Sequence, residues 1–386
     1  MSYRGLSPVS SYQPGAEQAE RWIPMTSTGM TPMRILHVMA SRANGGAETY
    51  STDMMASLQA AGLEQVAVLP RASIHCERLA AAGVPLAPDV LESRFGLLRR
   101  RKLAALIDSF KPDLVHCWMR RAASLMPPLR IPVVGWFGGY YEPTHFRRCT
   151  HFVGVSPGIV EHMVERGVPK ATAHYVPTFP TIEAGPPVDR EGLATPADAT
   201  LLLTLSRLHE KKGLDIFLAA LTALPGCIAW IAGDGPLEAE LKALAARLGV
   251  ADRVRFLGWR TDRGALLAAA DVCVLPSRWE PFGTVMLEAW AAGTPLIAAA
   301  SQGPAALISD GVNGLLVPVD DAPALAAAMG RLIADPALKA RLIERGRADY
   351  LGGYTREAVT RRMIALYTEI IAEHRGAGAA PAGERA

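Results

Sequence analysis

From Arg34 onward, short apolar runs alternate with amphipathic stretches, first over residues 34–177 and again over residues 200–349. A proline-rich interval separates the two series. Runs of strand length followed by stretches of helix length force parallel sheets, because consecutive parallel strands need a crossover between them. The first series predicts strands at 34–39, 65–69, 113–118, 131–137, 151–155 and 174–177, with helices at 47–61, 97–110 and 157–167. The second predicts strands at 200–206, 227–233, 253–257, 272–275, 295–299 and 315–317. Its helices fall at 213–223, 236–249, 262–270, 284–292, 303–309 and 322–349. The interval 178–199, TFPTIEAGPPVDREGLATPADA, has no hydrophobic period and reads as a linker. The expected fold class is α/β, with two Rossmann-like parallel-sheet domains at 33–185 and 198–350. A chain of 386 residues also exceeds the roughly 250–300 residues that one core supports. A last helix, 355–374, follows Gly352-Gly353 and is expected to dock back on the first domain. Residues 1–32 and 376–386 lack periodicity and read as a disordered leader and tail.

Composition narrows the class further. The five cysteines are widely spaced, with no CxxC or Cys/His ligand spacing, and read as buried free thiols of a reducing compartment. No apolar run reaches the ~20 residues that span a bilayer, and the N-terminus has no signal-peptide core. A cytoplasmic location is expected. The charge is uneven: residues 1–190 hold 20 Lys+Arg against 15 Asp+Glu, leaving 20 against 22 for the rest. Arg99-Arg100-Arg101-Lys102, Arg120-Arg121 and Arg147-Arg148 all lie in the positive half. Such runs are solvated helix ends, or a surface that meets anionic lipid or an acidic acceptor.

In open parallel sheets, ligands bind at the carboxyl ends of the strands, so the chemistry belongs to the loops that follow them. After the first strand, Asn44-Gly45-Gly46-Ala47-Glu48 opens a helix. Paired glycines there either bring backbone N–H groups onto an anion or make a tight turn at positive φ. After strand 200–206 come Arg207 and Lys212, either a solvated basic loop or, given their place at a strand end before a helix, a guanidinium fork and a point charge suited to a diphosphate. Gly233-Asp234-Gly235-Pro236 and Phe256-Leu257-Gly258-Trp259 are chiefly turns. The segment RWEPFGTVMLEAWAAGTPLIA holds Glu280 before a Pro281-Phe282-Gly283 turn and Glu288 inside the helix that starts near Thr284. The N–H groups from Phe282 to Met286 are expected to face the cleft as an anion site. A carboxylate among Val285, Met286, Leu287, Ala289 and Trp290 needs a partner, either ribose hydroxyls or a cation such as Arg207.

These motifs together resemble the family 4 retaining glycosyltransferases of GT-B fold, whose Glu-seven-residues-Glu motif matches EPFGTVMLE. NGGAE, SRLHEKKG, IAGDGP, VRFLGW and DGVNGLLVPVDD occur in the order and spacing of that family, over about residues 34–374. The resemblance implies that two domains face each other across a cleft and that the last helix crosses back to the first. It implies that Arg207 and Lys212 bind the donor diphosphate, that Glu288 holds the ribose, and that Glu280 contacts the sugar with Phe282, Gly283 and Thr284 nearby. Gly45 and Gly46 would close on the phosphates, and Asp234, Gly235 and Gly258 would line the nucleotide pocket. The activity implied is metal-independent transfer, with retention, of a hexosyl-type sugar from a UDP- or GDP-sugar. The acceptor would be a hydroxyl of a glycan or lipid-linked acceptor in lipopolysaccharide or other cell-surface polysaccharide biosynthesis. No nucleic-acid partner or bound cofactor is implied, and the basic first domain would touch the inner membrane face.

Three positions depart from the family pattern. Gly138-Gly139 follow strand 131–137 where members carry a histidine, leaving His116 and His145 as substitutes. Gly303-Pro304-Ala305-Ala306 lacks an expected acid, and Pro177-Thr178-Phe179 stands where Pro-Asn-Gly is common. A nucleotide-sugar epimerase, a sugar phosphorylase and a silent nucleotide-sugar-binding relative are the alternatives. A dinucleotide oxidoreductase is disfavoured, because no GxGxxG follows the first strand.

Overall fold

The computed structural model describes residues 33–43, 45–93, 95–182 and 185–379. The first sheet is formed by β1 (Arg34–Met39), β2 (Glu64–Val68), β3 (Leu114–Trp118), β4 (Val133–Phe137), β5 (His151–Gly154) and β6 (Ala173–Tyr175). The second is formed by β7 (Thr200–Leu205), β8 (Cys227–Ala232), β9 (Val254–Gly258), β10 (Val272–Leu275), β11 (Leu296–Ala299) and β12 (Leu315–Val317). Every pairing between these strands is parallel. Helices cover both faces, so β3, β4 and β8 are buried along their whole length, and they are apolar runs rather than alternating ones.

Strand order positions the chemistry. The sheets run β2-β1-β3-β4-β5-β6 and β12-β11-β10-β7-β8-β9. In the second sheet the chain builds outward from β7 through β8 to β9, then returns to β10 on the other side of β7. The crossovers after β7 and β10 therefore leave the sheet in opposite directions and open a crevice between them. In the first sheet the same reversal lies between β1 and β3.

Three helical features differ from the sequence expectation. Two seven-residue helices, His75–Ala81 and Met119–Leu125, are too short to show a helical period. The expected helix 322–349 is two helices, Ala322–Ala334 and Pro336–Gly353. Pro336 has no N–H to continue the first, and the Asp335 carboxylate accepts from Leu338 N at 2.8 Å to begin the second. Gly352 and Gly353 finish that second helix, so the break falls at Tyr354. Cys117, Cys227 and Cys273 are buried, whereas Cys76 and Cys149 are only half-buried. The leader 1–32 lies outside the described residues, and the last helix, Arg356–Ala379, continues into the expected tail.

That helix packs on Gly46–Ala60 of the first half, and Arg356 donates to Ser57 Oγ at 3.1 Å. Its fully buried Tyr367 hydroxyl meets Nδ1 of His116, whose other ring nitrogen is buried without a partner. Tyr367→Ala is expected to cost about 3–5 kcal/mol in urea unfolding by opening a cavity. Tyr367→Phe keeps the volume and should cost about 1–3 kcal/mol by unpairing His116.

Candidate active site

Loops that are distant in sequence meet at the crevice between β7 and β10. Gly213 (φ +62) ends the loop after β7, and a Cβ there would sit 2.1 Å from the Pro276 carbonyl oxygen. Only glycine permits both that dihedral and that approach. Trp279 N donates to Lys211 O at 3.1 Å, stitching the two loops together. The result is an ion pair between Lys212 Nζ and Glu280 Oε2 at 2.5 Å, with the side chains 23% and 14% exposed. Arg278, two residues before Glu280, faces away from the pair. Its guanidinium grips Asp215 at 2.8 and 2.6 Å and Asp320 at 2.5 Å, and so holds the loop that carries Glu280.

The loop after β8 seats Arg207. Gly233 (φ +148) would place a Cβ 1.9 Å from the Ser206 carbonyl oxygen. Leu208 N donates to Asp234 O at 2.7 Å, and Gly233 N donates to Gly258 O at 2.7 Å. A Cβ on Gly235 would press on the Leu208 backbone. Asp234, Gly235 and Gly258 thus build the wall under Arg207, and the Asp234 side chain is exposed. Arg207 is itself exposed at the cleft and makes no ion pair among the described residues.

Glu288 lies one turn into the helix Thr284–Ala292 and is fully buried. Its cation is Arg263, not Arg207: Nη1 meets Oε1 at 2.5 Å. Oε2 is buried with no partner, one acceptor short of satisfaction. Burial pushes the Glu288 carboxyl up to about 7, with the Arg263 charge opposing. Arg263 Nη2 also reaches the Thr181 carbonyl and hydroxyl at 3.4 Å, so one guanidinium joins Glu288 to the segment linking the two halves. The expected row of free N–H groups is shorter than the sequence suggests, because Met286 N is taken by Gly283 O at 2.9 Å. Thr284 and Val285, in the first turn and on the cleft, have no preceding helical carbonyl to bond.

From the first half, Gly46 faces the same cleft with open space where a Cβ would be. Neither Gly45 nor Gly46 has positive φ, so the tight-turn reading of the pair falls away. A Cβ on Gly45 would meet the Glu48 carboxylate at 2.7 Å, and that carboxylate accepts from Ser41 Oγ at 2.6 Å. Asn44 lies outside the described residues.

The cleft holds about 250 Å³ and brings together Gly46, Arg207, Lys212, Glu280 and Thr284. Trp259, Arg260 and Arg263 also line it, and sequence reasoning missed all three. Trp259 sits on the cleft wall at 61% exposure. Its signal was an aromatic directly after a strand-ending glycine, where turn chemistry alone needs none. Phe282 is buried behind the turn and Gly283 caps the helix. Gly303 N donates to Glu280 O at 2.7 Å, and a Cβ on Gly303 would meet Phe282 O at 2.3 Å. The loop lacking the expected acid thus props up the turn behind Glu280.

Neither histidine substitute stands at the cleft. His116 is buried, stacked on Trp118 at 4.1 Å, and burial holds its pKa well below the usual histidine value. His145 is exposed on another cleft of the first half. Tyr140 occupies the loop after β4 instead, its ring edge-on to Trp279 at 5.7 Å, next to Glu280. Among the described residues no three His, Cys, Asp or Glu side chains converge as metal ligands, and no helix is long and apolar enough to cross a membrane.

Comparison with known proteins shows the family and the fold. Residues 187–349 match the family described as Glycosyl transferases group 1, and residues 44–179 match Glycosyltransferase Family 4. A lipopolysaccharide core biosynthesis glycosyltransferase of Rhizobium meliloti, LpsE, is 35% identical over 86% of this chain and 98% of its own. A second one from that organism, LpsD, is 30% identical over 88% of this chain and 100% of its own. The crystal structure of Anabaena HepE with UDP and glucose superposes with a TM-score of 0.74 at 22% identity, covering 87% and 100% of the two chains.

Proposed function

The chain belongs to the family 4 glycosyltransferases of GT-B fold, and we propose that it moves a hexosyl sugar, with retention, from a UDP-sugar to a hydroxyl of a lipopolysaccharide-core-type acceptor. A GDP-sugar is the alternative donor. The observation that carries this reading is the Lys212–Glu280 pair at the β7/β10 crevice, with Arg207 beside it and Gly46 opposite. The names of the Rhizobium relatives support the acceptor class, and the UDP bound to Anabaena HepE supports the donor.

In the proposed reaction the bond between the sugar anomeric carbon and the diphosphate oxygen breaks, and the acceptor oxygen bonds to the same face of that carbon. The acceptor proton passes to the departing phosphate oxygen, so atoms and charge balance with the nucleoside diphosphate as leaving group. Lys212 and Arg207 would neutralise the charge that grows on that oxygen, with no metal required. Pre-positioned cations in a water-poor cleft stabilise such charge by several kcal/mol. A donor phosphate drawing Lys212 away would free Glu280 to accept hydrogen bonds from sugar hydroxyls. Glu288 Oε2, lacking a partner, would take a ribose hydroxyl.

The donor is testable by thermal shift across UDP- and GDP-sugars. A ligand at about 100 times its Kd adds about 2.7 kcal/mol to native stability, a rise easily seen in Tm. A shift with UDP, and turnover lost in Glu280→Ala, is the expected outcome. No shift or turnover with any UDP- or GDP-sugar would sink the reading. Exposed Phe95, Leu97 and Leu98 beside Arg101 and Lys102 support peripheral contact with the cytoplasmic membrane face.

A further inference from the structure

A second cleft, of about 520 Å³, opens in the first half of the molecule. It lies between the first turn of helix Gly96–Phe110, the last turn of helix Met119–Leu125 and the short turn Pro143–Phe146. Arg100, Arg147, Arg148 and His145 line it together with Ser124 and Thr144, and no lining residue is acidic. Arg100 is aimed by a bond from Nη2 to Ser124 O at 3.0 Å. None of the three arginines has an ion-pair partner among the described residues. At the β7/β10 crevice, by contrast, only Arg207 is left unpaired among the described residues, while Arg263 is answered by Glu288, Arg278 by Asp215 and Asp320, and Arg260 by Asp262. Three guanidinium groups lining one concavity repel one another, and beyond the one bond of Arg100 to Ser124 O their donors have no acidic acceptor in it.

The position of the cleft ties it to the reaction. Helix Met119–Leu125 starts directly off β3, at the reversal in the first sheet, with Met119 in the left-handed region at φ +65. A non-glycine residue costs energy there and tends to be kept at functional sites. His145, Arg147 and Arg148 follow in sequence from Tyr140, whose ring touches Trp279 beside Glu280. The five steps along the chain from Tyr140 to His145 span at most about 18 Å. That is within the reach of a short oligosaccharide.

We propose that this cleft binds an anionic group, a phosphate or carboxylate, of the acceptor glycan, so that the enzyme selects a negatively charged acceptor. The proposal deepens the transferase reading and rests on it for the word acceptor. Guanidinium forks match such groups in a two-point geometry that neutral sugars do not offer. A membrane surface is the competing occupant, and besides Leu97 on the cleft rim it would also engage exposed Phe95, Leu98, Arg101 and Lys102 outside the cleft.

The test uses the full chain saturated with UDP, so that the donor site is filled. Pyrophosphate and digalacturonate are titrated into the wild type and into the triple variant R100A/R147A/R148A, with UDP affinity as the check on folding. The expected result is binding of at least one probe to the wild type, weakened about tenfold or more in the variant, with UDP affinity unchanged. With rough lipopolysaccharide as acceptor, the variant should raise the acceptor KM by a similar factor and leave UDP-sugar hydrolysis intact. Flotation on phosphatidylcholine vesicles with and without phosphatidylglycerol separates the membrane. Probe binding that is absent, or equal in both proteins, overturns the proposal. So does a variant whose only defect is loss of vesicle binding. If UDP itself fails to bind, the transferase reading falls, while the probe titrations still report on the cleft.

Discussion

Lys212→Met is expected to lower sugar transfer at saturating donor by about 10²–10³, the loss seen when one pre-positioned donor to a developing oxyanion is removed. The side chain is 23% exposed and held against Glu280 at 2.5 Å, so in the proposed reaction it would have only to shift from that carboxylate to the diphosphate. The substitution also leaves Glu280, 14% exposed, without its cation. Glu280→Gln, alone and combined with Lys212→Met, separates the two effects. If repulsion between an unpaired Glu280 and the donor phosphates were the main defect, Lys212→Met would cost nothing further in the Glu280→Gln background. We expect it to cost a further large factor there. Arg207→Met should add a further loss, smaller because Arg207 is exposed and less fixed. The measurement is kcat and KM from initial rates of UDP release. A fall of less than about tenfold in kcat for Lys212→Met would count against its assignment to the leaving group.

Arg263→Met is expected to weaken donor binding in a pH-dependent way. Glu288 ionises near pH 7 in the folded protein against an ordinary value of 4.5, because burial outweighs the Arg263 charge. The sign for stability follows from proton counts. Between pH 4.5 and about 7 the unfolded chain has lost this proton while the folded chain still holds it, so stability falls as pH rises through that window and is level above it. For the donor the sign is opposite. In the proposed site ribose hydroxyls would donate to the ionised carboxylate, so affinity should rise as pH climbs through about 7. Removing Arg263 takes away the one charge that lowers the Glu288 pKa, which moves this rise to higher pH. At neutral pH the variant should bind UDP about tenfold more weakly and recover in alkaline buffer. Glu288→Gln supplies the control, since its profile contains only the titration of UDP itself. Calorimetric titrations from acid to alkaline pH decide the matter. Superimposable profiles for wild type and Arg263→Met would rule out the role.

Much of the architecture was legible in the sequence, for a reason visible in β3, β4 and β8. Strands buried on both faces must be apolar throughout, so they stand out as runs wherever helices cover both sides of a sheet. The seven-residue helices were illegible, because two turns hold too few residues to show a period. Pro336 was visible, yet whether it ended one helix or kinked it depended on the Asp335 cap. Within the site, Glu280 and Lys212 were legible by type and by place after a strand. Arg263 was not, because nothing in its neighbourhood in the chain says that it faces a carboxylate 25 residues further on. His116 shows the converse. A histidine inside an apolar run could be a core residue or a substitute for the family's histidine, and the last helix, closing over it with Tyr367, makes it the former.

The sequence by itself determined the two parallel-sheet halves, the linker between them and the loops in which reactive side chains would be found. These are properties of local pattern: hydrophobic runs set the strands, and glycines and acids mark the loops. The tertiary structure alone decided which loops meet. The β12-β11-β10-β7-β8-β9 order puts the loop after β7 beside the loop after β10, 68 residues apart in sequence at Lys212 and Glu280. It also decided that Glu288 is neutralised by Arg263, while Arg100, Arg147 and Arg148 are left with no counter-charge among the described residues. Charge pairing depends on distance through space, and a chain fixes that distance only when its sheets have closed.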